Sequence, residues 1–278
     1  MSKKYIVLIF TLIVSVMSQL ALAQGSNFRR KTPALGTVKI IAGGGLSYYL
    51  GDLRDEINAN HIHSQAALGI SYRLTERLVA RGELRFYRIS GSQEGTRIWY
   101  NNLSFRSDNP DGYVGLQLEL FKFSEQPRIN PYFFVGIGLT HINPKTSYQG
   151  VWYSLPPLQT EGVAYARTVR ILPVGVGVSW RCGERWNLGI ELSNNYAGSD
   201  YLDDVSTNYP NTVGMSEIAR LLSDRRGELT PPIALNEPGN IRGNPRVKDA
   251  YGFLSLRAEY LLGTRANRLE KRRLRCYY

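Results

Sequence analysis

Apolar and polar side chains alternate along eight segments between residues 37 and 262, and the connections between these segments are alternately long and short. The clearest segment has an apolar face and a largely charged face. The apolar face consists of Leu78, Ala80, Gly82, Leu84 and Phe86. The other face consists of Val79, Arg81, Glu83, Arg85 and Tyr87. A period of two residues is typical of a β-strand. The alternation therefore predicts two-faced strands, which could form either a soluble sandwich or a membrane barrel.

The N-terminus favours the barrel. Lys3 and Lys4 precede an apolar run over 5–16, and Ala21-Leu22-Ala23 forms a small-x-small site before Gln24. This pattern is typical of a cleaved secretory signal peptide. An uncleaved membrane helix is the alternative, but polar residues interrupt the apolar run. Beyond residue 23 no stretch has the roughly 20 apolar residues that a spanning helix needs, so a membrane-embedded chain must close its strands into a barrel.

The predicted fold is all-β: an eight-stranded antiparallel transmembrane β-barrel with four long extracellular loops and short periplasmic turns. The strands are expected at 37–50, 64–74, 78–89, 112–123, 131–142, 168–180, 186–196 and 248–262. The long loops are then 51–63, 90–111, 143–167 and 197–247. Apolar residues at helical spacing predict a short helix over 216–225, within the last of these loops.

The lumen of such a barrel has room for side chains only. We therefore predict a plugged lumen and not an open pore. The charged residues expected inside it are Arg81, Glu83, Arg85 and Glu119. The wall expected to make room for them is formed by Gly136, Gly138, Gly175, Gly177 and Gly189.

The chain divides into a signal peptide at 1–23, a basic periplasmic segment at 24–36, the barrel at 37–262 and a basic periplasmic tail at 263–278. This organisation predicts an integral protein of the cell outer membrane. The two ends of the chain carry all but one of its net +11 charges. No basic face extends over the barrel, so nucleic acid is not expected as a partner.

Few residues suggest chemistry, and we expect no catalytic residues, no cofactor and no metal, hence no enzyme. His61 and His63 could approach one metal ion, but no cysteine or further histidine accompanies them, so an ordinary loop pair is favoured. The loop motif at Tyr201, Asp203 and Asp204 could serve acid–base chemistry or calcium binding. Turn and capping groups are the favoured interpretation of this acidic pair.

The two cysteines, Cys182 and Cys276, both fall on the periplasmic side of the predicted topology. The periplasm is an oxidising compartment. We therefore predict a disulfide between them, which would fasten the tail beneath the barrel.

Several short phrases occur in a characteristic order along the chain. They are Tyr49-Leu50-Gly51-Asp52-Leu53, Asn102-Leu103-Ser104-Phe105, the run from Asn130 to Leu139, Asn143-Pro144-Lys145, Gln159-Thr160-Glu161-Gly162 and Tyr201-Leu202-Asp203-Asp204-Val205-Ser206. Taken together, the phrases resemble a Gram-negative outer-membrane β-barrel family that includes PorG of the type IX secretion system. The resemblance covers about 37–262.

This resemblance implies a non-enzymatic, structural or partner-docking barrel. Its periplasmic side would associate with secretion-ring proteins, a lipoprotein and its partner, beneath the outer membrane. The basic tail suits such contact because arginine can bind carboxylates with two parallel hydrogen bonds. Its cations are Arg265, Arg268, Lys271, Arg272, Arg273 and Arg275. The alternatives for the tail are a solvated end or contact with lipid headgroups. The alternative functions are a surface adhesin or receptor that acts through the long loops, and a small-solute pore.

Overall fold

A computed structural model describes residues 36–53, 61–125, 127–183, 185–245 and 248–263. Ten strands run through these ranges: β1 Val38–Leu50, β2 His63–Arg73, β3 Leu78–Ser92, β4 Ser104–Glu119, β5 Ile129–His141, β6 Lys145–Tyr148, β7 Val151–Ser154, β8 Thr168–Arg181, β9 Trp186–Ala197 and β10 Ala250–Gly263. One α-helix, α1, spans Glu217–Ser223 within the described ranges. The predicted signal peptide, the basic segment before residue 36 and the tail at 264–278 lie outside the described residues.

Eight of these strands form a closed antiparallel barrel. Neighbours in the ring follow the order β1, β2, β3, β4, β5, β8, β9, β10, and β10 pairs with β1 to close it. Strands β6 and β7 form a separate hairpin that joins β4 through one register pair, Arg106 with Lys145. The predicted all-β, eight-stranded antiparallel barrel is confirmed.

The two faces of the strands differ as the alternation predicts. Outward side chains are apolar and exposed: Leu84, Val114 and Ile137 are 65%, 64% and 68% exposed. The intervening side chains are polar and buried, as at Arg81 and Glu83, which are 3% and 4% exposed. A soluble sandwich would bury the apolar face instead, so this arrangement is that of a barrel surrounded by lipid. Among the described residues, no helix is long and apolar enough to cross a membrane.

The prediction of a loop over the whole of 90–111 was wrong. The connection is shorter, because β3 continues to Ser92 and β4 already begins at Ser104. Polar residues and Pro110 concealed this part of β4 in the sequence. Strand β4 pairs with β3 from Ser104 to Leu118. On its other edge, β4 pairs with β5 only from Asp111 onwards. A proline is tolerated there because one side of the strand makes no ladder hydrogen bonds with β5.

Two other long connections contain regular structure. The connection from β5 to β8 includes the β6–β7 hairpin, which the sequence reasoning did not predict. The connection from β9 to β10 includes α1, within the range expected to be helical. The Ser216 side chain caps this helix by accepting a hydrogen bond from the backbone N–H of Ala219 at 3.3 Å.

The glycines of the lumen wall make room for aromatic rings. A Cβ on Gly177 would lie 2.4 Å from the Tyr132 ring, and a Cβ on Gly175 would lie 2.5 Å from the Phe134 ring. The glycines therefore make room for the charged side chains through the rings that lie between them. The rings fill the space first, and the Arg81 guanidinium then lies 3.9 Å from the centre of the Phe134 ring.

Ile137 on β5 provides a test of the lipid-facing assignment. We expect Ile137→Arg to lower the free energy of unfolding in lipid vesicles by about 2–4 kcal/mol, because it places a charge in hydrocarbon. Thr168→Arg, at the exposed end of neighbouring β8, is the matched control and should cost about 0–1 kcal/mol. Equal losses for the two variants, measured by denaturant titration, would contradict the assignment.

Candidate functional site

Two arginines and two glutamates form the centre of the lumen. Arg81 on β3 donates two hydrogen bonds to Glu191 on β9, at 2.8 and 3.0 Å. Arg257 on β10 donates to Glu191 at 3.0 Å and to Glu83 at 2.5 Å, and the Tyr132 hydroxyl donates to Glu191 at 2.9 Å. Since β3 and β9 stand on opposite sides of the ring, the bond between Arg81 and Glu191 crosses the lumen.

Further ion pairs lie above and below this central layer. Towards the long connections, Arg85 pairs with Asp111 at 2.6 Å, and Asp111 also accepts from the Tyr251 hydroxyl at 2.8 Å. Towards the short turns the pairs are Lys39 with Glu259 and Arg73 with Glu119. Each cation of the three layers has a carboxylate partner. The predicted interior positions of Arg81, Glu83, Arg85 and Glu119 are observed, but the sequence did not indicate their partners.

The open end of the lumen faces the short turns. A small cavity of about 40 Å³ lies there, lined in part by Lys39, Arg73, Glu119 and Asn187. This volume accommodates a few water molecules. The other end is covered by a packed cluster of buried apolar and aromatic side chains: Tyr49, Leu53, Tyr87, Ile89, Leu103, Phe105, Ile142, Val169, Ile171, Ala197, Leu202, Val205, Tyr251 and Phe253. Side chains thus fill the barrel between these ends.

Buried hydrogen bonds join two of the long connections above this cluster. Glu161 accepts from the backbone N–H groups of Ser206 and Thr207, at 2.9 and 3.0 Å. Arg242 donates to Glu161 at 3.0 Å and to the backbone carbonyl of Asp204 at 2.6 Å. The Asp204 carboxylate accepts from the hydroxyl groups of Thr160 and Tyr165. We call this layer the loop cap, defined by Thr160, Glu161, Tyr165, Asp203, Asp204, Arg242 and Asp249.

The loop cap raises the pKa of its acids. Burial is the largest cause and raises the pKa of Asp204 to about 6, although Arg242 opposes the shift. Burial also raises the pKa of Asp203 well above its usual value, and the neighbouring charge of Asp249 adds to this shift. The pKa of Asp249 is raised well above its usual value by the same burial.

One hydroxyl group lies between the two acids Asp203 and Asp249. The Tyr49 oxygen is 2.6 Å from Oδ2 of Asp203 and 2.9 Å from Oδ1 of Asp249. A hydroxyl group has one proton and can donate it to only one of the two carboxylates. The second contact is a hydrogen bond only if that carboxyl group is itself protonated. Both contacts are therefore hydrogen bonds only if Asp203 and Asp249 together hold one proton.

The residues singled out from the sequence are dispersed. Asp203 and Asp204 are buried acceptors, and Tyr201 stacks on Tyr165 with ring centres 4.5 Å apart. His61 and His63 both contact the Ser90 hydroxyl, at 3.0 and 2.7 Å. Within the described ranges, no group of three histidine, cysteine or acidic residues could hold a metal ion.

The predicted partner-binding tail and disulfide remain predictions. Cys182 is exposed in the turn between β8 and β9, but Cys276 lies outside the described residues. The same holds for the tail cations Arg265, Arg268, Lys271, Arg272, Arg273 and Arg275.

Several residues of the lumen and loop cap escaped the sequence reasoning, notably Glu191, Arg257, Asp111 and Arg242. Glu191 alternates with the outward residues Ile190 and Leu192, so the period of two could have placed it inside. Arg242 follows a proline-rich loop, where no periodic pattern indicates burial.

The class of protein follows from the strand pairing and the exposed apolar belt: a closed eight-stranded antiparallel transmembrane β-barrel. No protein-family model matches the sequence, and no curated protein matches it either.

Solved barrels resemble the chain in shape at low sequence identity. The structure of neisserial surface protein A is 12% identical, with a TM-score of 0.41, over 80% of this chain and 96% of that one. Ail of Yersinia pestis is 13% identical, with a TM-score of 0.40, over 82% and 99% of the two chains. OprG from Pseudomonas aeruginosa is 9% identical, with a TM-score of 0.40, over 82% and 98%.

Removing one carboxylate from the central layer should destabilise the barrel. Glu191→Gln leaves Arg81 and Arg257 buried with one acidic partner between them. We therefore expect the free energy of unfolding to fall by roughly 3 kcal/mol or more. Asp108→Asn is the matched control, because it breaks a pair with Arg88 whose side chains are 44% and 53% exposed, and it should cost less than about 1 kcal/mol. Denaturant titration in vesicles measures both, and a small loss for Glu191→Gln would contradict a structural role of the network.

The shared proton predicts a pH dependence of the loop cap. Acids whose pKa is raised by folding stabilise the folded state below their unfolded pKa, and this contribution is lost as the pH rises through the folded pKa. The melting temperature in detergent should therefore fall above about pH 4, through about pH 6 for Asp204 and further for Asp203 and Asp249.

Two variants test the assignment of the proton. Asp249→Asn supplies a permanent N–H donor to the Tyr49 oxygen, so the fall at high pH should become smaller. Tyr49→Phe removes the bridging hydroxyl and should lower the melting temperature at both ends of the pH range. An unchanged pH profile for Asp249→Asn would contradict the shared proton.

Proposed function

We propose that this chain is an integral outer-membrane β-barrel of a Gram-negative bacterium and acts as a structural, partner-docking component of the type IX protein secretion machinery. In this proposal it is neither an enzyme nor a pore. The observation that carries the non-conducting part is the neutral ion-pair network around Arg81 and Glu191, which crosses the lumen between the cavity at the short turns and the packed cluster at the other end. The type IX part is supported by the resemblance of the ordered phrases to the PorG-like family.

The contacts that these sequence phrases make in the structure add support to the resemblance. Thr160 and Glu161 belong to one phrase, Asp203, Asp204 and Ser206 to another, and Tyr49 to a third. Their side chains contact one another in the loop cap. Phrases that are far apart in sequence but adjacent in the fold are expected if the resemblance concerns one structural unit and not scattered coincidences.

We orient the barrel with its short turns in the periplasm, as bacterial barrels of this class do. Gly36 and Gly263 both lie at that end, since Gly36 bonds to Arg73 and Gly263 pairs with Val38. A tail that begins after Gly263 would therefore start on the periplasmic side. We propose that the protein binds its partners on this periplasmic side. There the tail cations bind acidic groups of periplasmic secretion-ring proteins.

A surface receptor is the alternative that the loops favour. Val213 and Ile241 on the long connection between β9 and β10 are 87% and 80% exposed. Exposed apolar side chains on loops can contact a partner. This alternative places the working surface at the opposite end of the molecule, so one experiment can separate the two.

The experiment is cross-linked co-purification of periplasmic partners from intact envelopes. Replacing Arg265, Arg268, Lys271, Arg272, Arg273 and Arg275 by Gln should strongly reduce partner recovery while Cys276 and the tail length are retained. The barrel should still assemble, as measured by its heat-dependent migration in gels. Reduced recovery is expected because neutral tails lose charge-assisted hydrogen bonds.

Two control variants complete this experiment. Arg77→Gln with Lys122→Gln neutralises exposed turn cations at the same end and should leave recovery unchanged. Val213→Ser with Ile241→Ser should also leave it unchanged. Full recovery with the neutral tail would overturn the docking proposal, and a loss with the loop variant would favour the receptor.

A further inference from the structure

One wall of the barrel carries a strip of cations just beyond the apolar belt, at the end of the long connections. Its members are the outward residues Arg88 on β3, Arg106 on β4, Lys145 on β6 and Arg170 on β8, with His141 on β5 between them. We call this strip the cationic rim. It follows directly on the exposed apolar residues Phe86 and Leu139.

The register places these cations in two adjacent groups. Arg88 is paired with Asp108, and Arg106 is paired with Ser90 on one side and with Lys145 on the other. Arg170 is paired with Leu139, two residues before His141. Since paired and diagonal neighbours in a sheet lie within reach of long side chains, Arg88, Arg106 and Lys145 form one group. Arg170 and His141 form a second group, because Leu139 lies opposite Gly112, six residues from Arg106 along β4.

The rim has more positive than negative charge. Asp108 forms an ion pair with Arg88 at 2.5 Å. No ion pair of Arg106, Lys145 or Arg170 occurs in the part of the chain that the structure covers. Like charges directly opposite each other in a sheet are unfavourable, so the pair of Arg106 with Lys145 costs stability unless an anion lies between them.

Arg106 is also held in position. Its guanidinium carbon lies 3.9 Å from the centre of the Trp152 ring, in a cation–π contact. Trp152 is 46% exposed, on the β7 strand of the hairpin. An arginine that is already oriented loses less side-chain freedom when it binds a ligand.

Within the described strands, the opposite wall has fewer outward cations at this end, although Lys248, just before β10, is exposed there. At the same end of the barrel its outward residues are uncharged, as at Tyr48 on β1, Ser64 on β2 and Asn194 and Tyr196 on β9. The Tyr48 hydroxyl donates a hydrogen bond to Asn194 at 2.8 Å.

We propose that the cationic rim binds the phosphate-bearing headgroup of a lipid in the membrane leaflet at the long-connection end. Arg106 and Lys145 bind the phosphate, and the apolar belt below them, including Phe86, Val114 and Ile137, contacts the acyl chains. A phosphorylated lipid fits both surfaces at once, whereas a soluble anion would use only the rim. The inference rests on the membrane embedding in the proposed function but not on the secretion partner.

The test is native mass spectrometry of the purified full chain released from phosphatidylcholine nanodiscs that contain a minor fraction of lipid A, a glycolipid with two phosphates. Arg106→Gln with Lys145→Gln should reduce lipid A retention by about tenfold, because two charge-assisted contacts to phosphate are lost. Arg77→Gln with Lys122→Gln removes the same charge at the other end and should retain lipid A as the unmodified chain does. Higher salt should weaken retention, since the rim is exposed.

Two results would overturn the proposal. One is equal retention by the rim variant and the unmodified chain, with both migrating as folded barrels. The other is complete displacement of lipid A by inorganic phosphate alone, which would identify a site for soluble anions. Partner co-purification through the tail is measured separately, so a failure of lipid binding leaves that result unaffected.

Discussion

Ion pairs that cross the lumen are the interaction on which the rest of this barrel depends. A chain with hydrocarbon outside must turn its charged strand residues inward, and each buried charge costs several kcal/mol unless a partner compensates it. Arg81 and Glu191 meet from opposite walls, so their pairing joins the two sides of the barrel across its interior. The rings of Tyr132 and Phe134 occupy the space beside the glycine wall, and the Arg81 guanidinium lies against the Phe134 ring. Stability and occlusion therefore have the same physical origin in this molecule.

The faces of the strands could be predicted from the sequence, but the contacts between strands could not. A period of two residues assigns Arg81, Glu83 and Arg85 to one side of β3, and this depends on the strand alone. Which carboxylate each arginine meets depends on the register and stagger of distant strands, such as β9 for Glu191. No local pattern records that register. The partner of Arg81, 110 positions away, therefore became visible only in the structure.

The ends of the strands were predicted least well, and β4 shows why. Its first residues are polar and include Pro110, which are features typical of a loop. They continue as a strand because β3 supplies a partner over the whole length. Tertiary pairing thus overrides local preference where only one edge of a strand is occupied. The acidic pair at Asp203 and Asp204 is similar, since its burial depends on Tyr49, Thr160 and Tyr165 from other parts of the chain.

The hydroxyl of Tyr49 gives the loop cap a property that reaches beyond its packing. If Asp203 and Asp249 hold one hydrogen ion in the folded cap, then folding of the cap takes up that ion from the surrounding medium and unfolding releases it. The equilibrium between the two forms is consequently coupled to the acidity of the bathing fluid, even though no histidine takes part. A barrel with a filled interior can in this way remain chemically responsive at the end that carries its long connections.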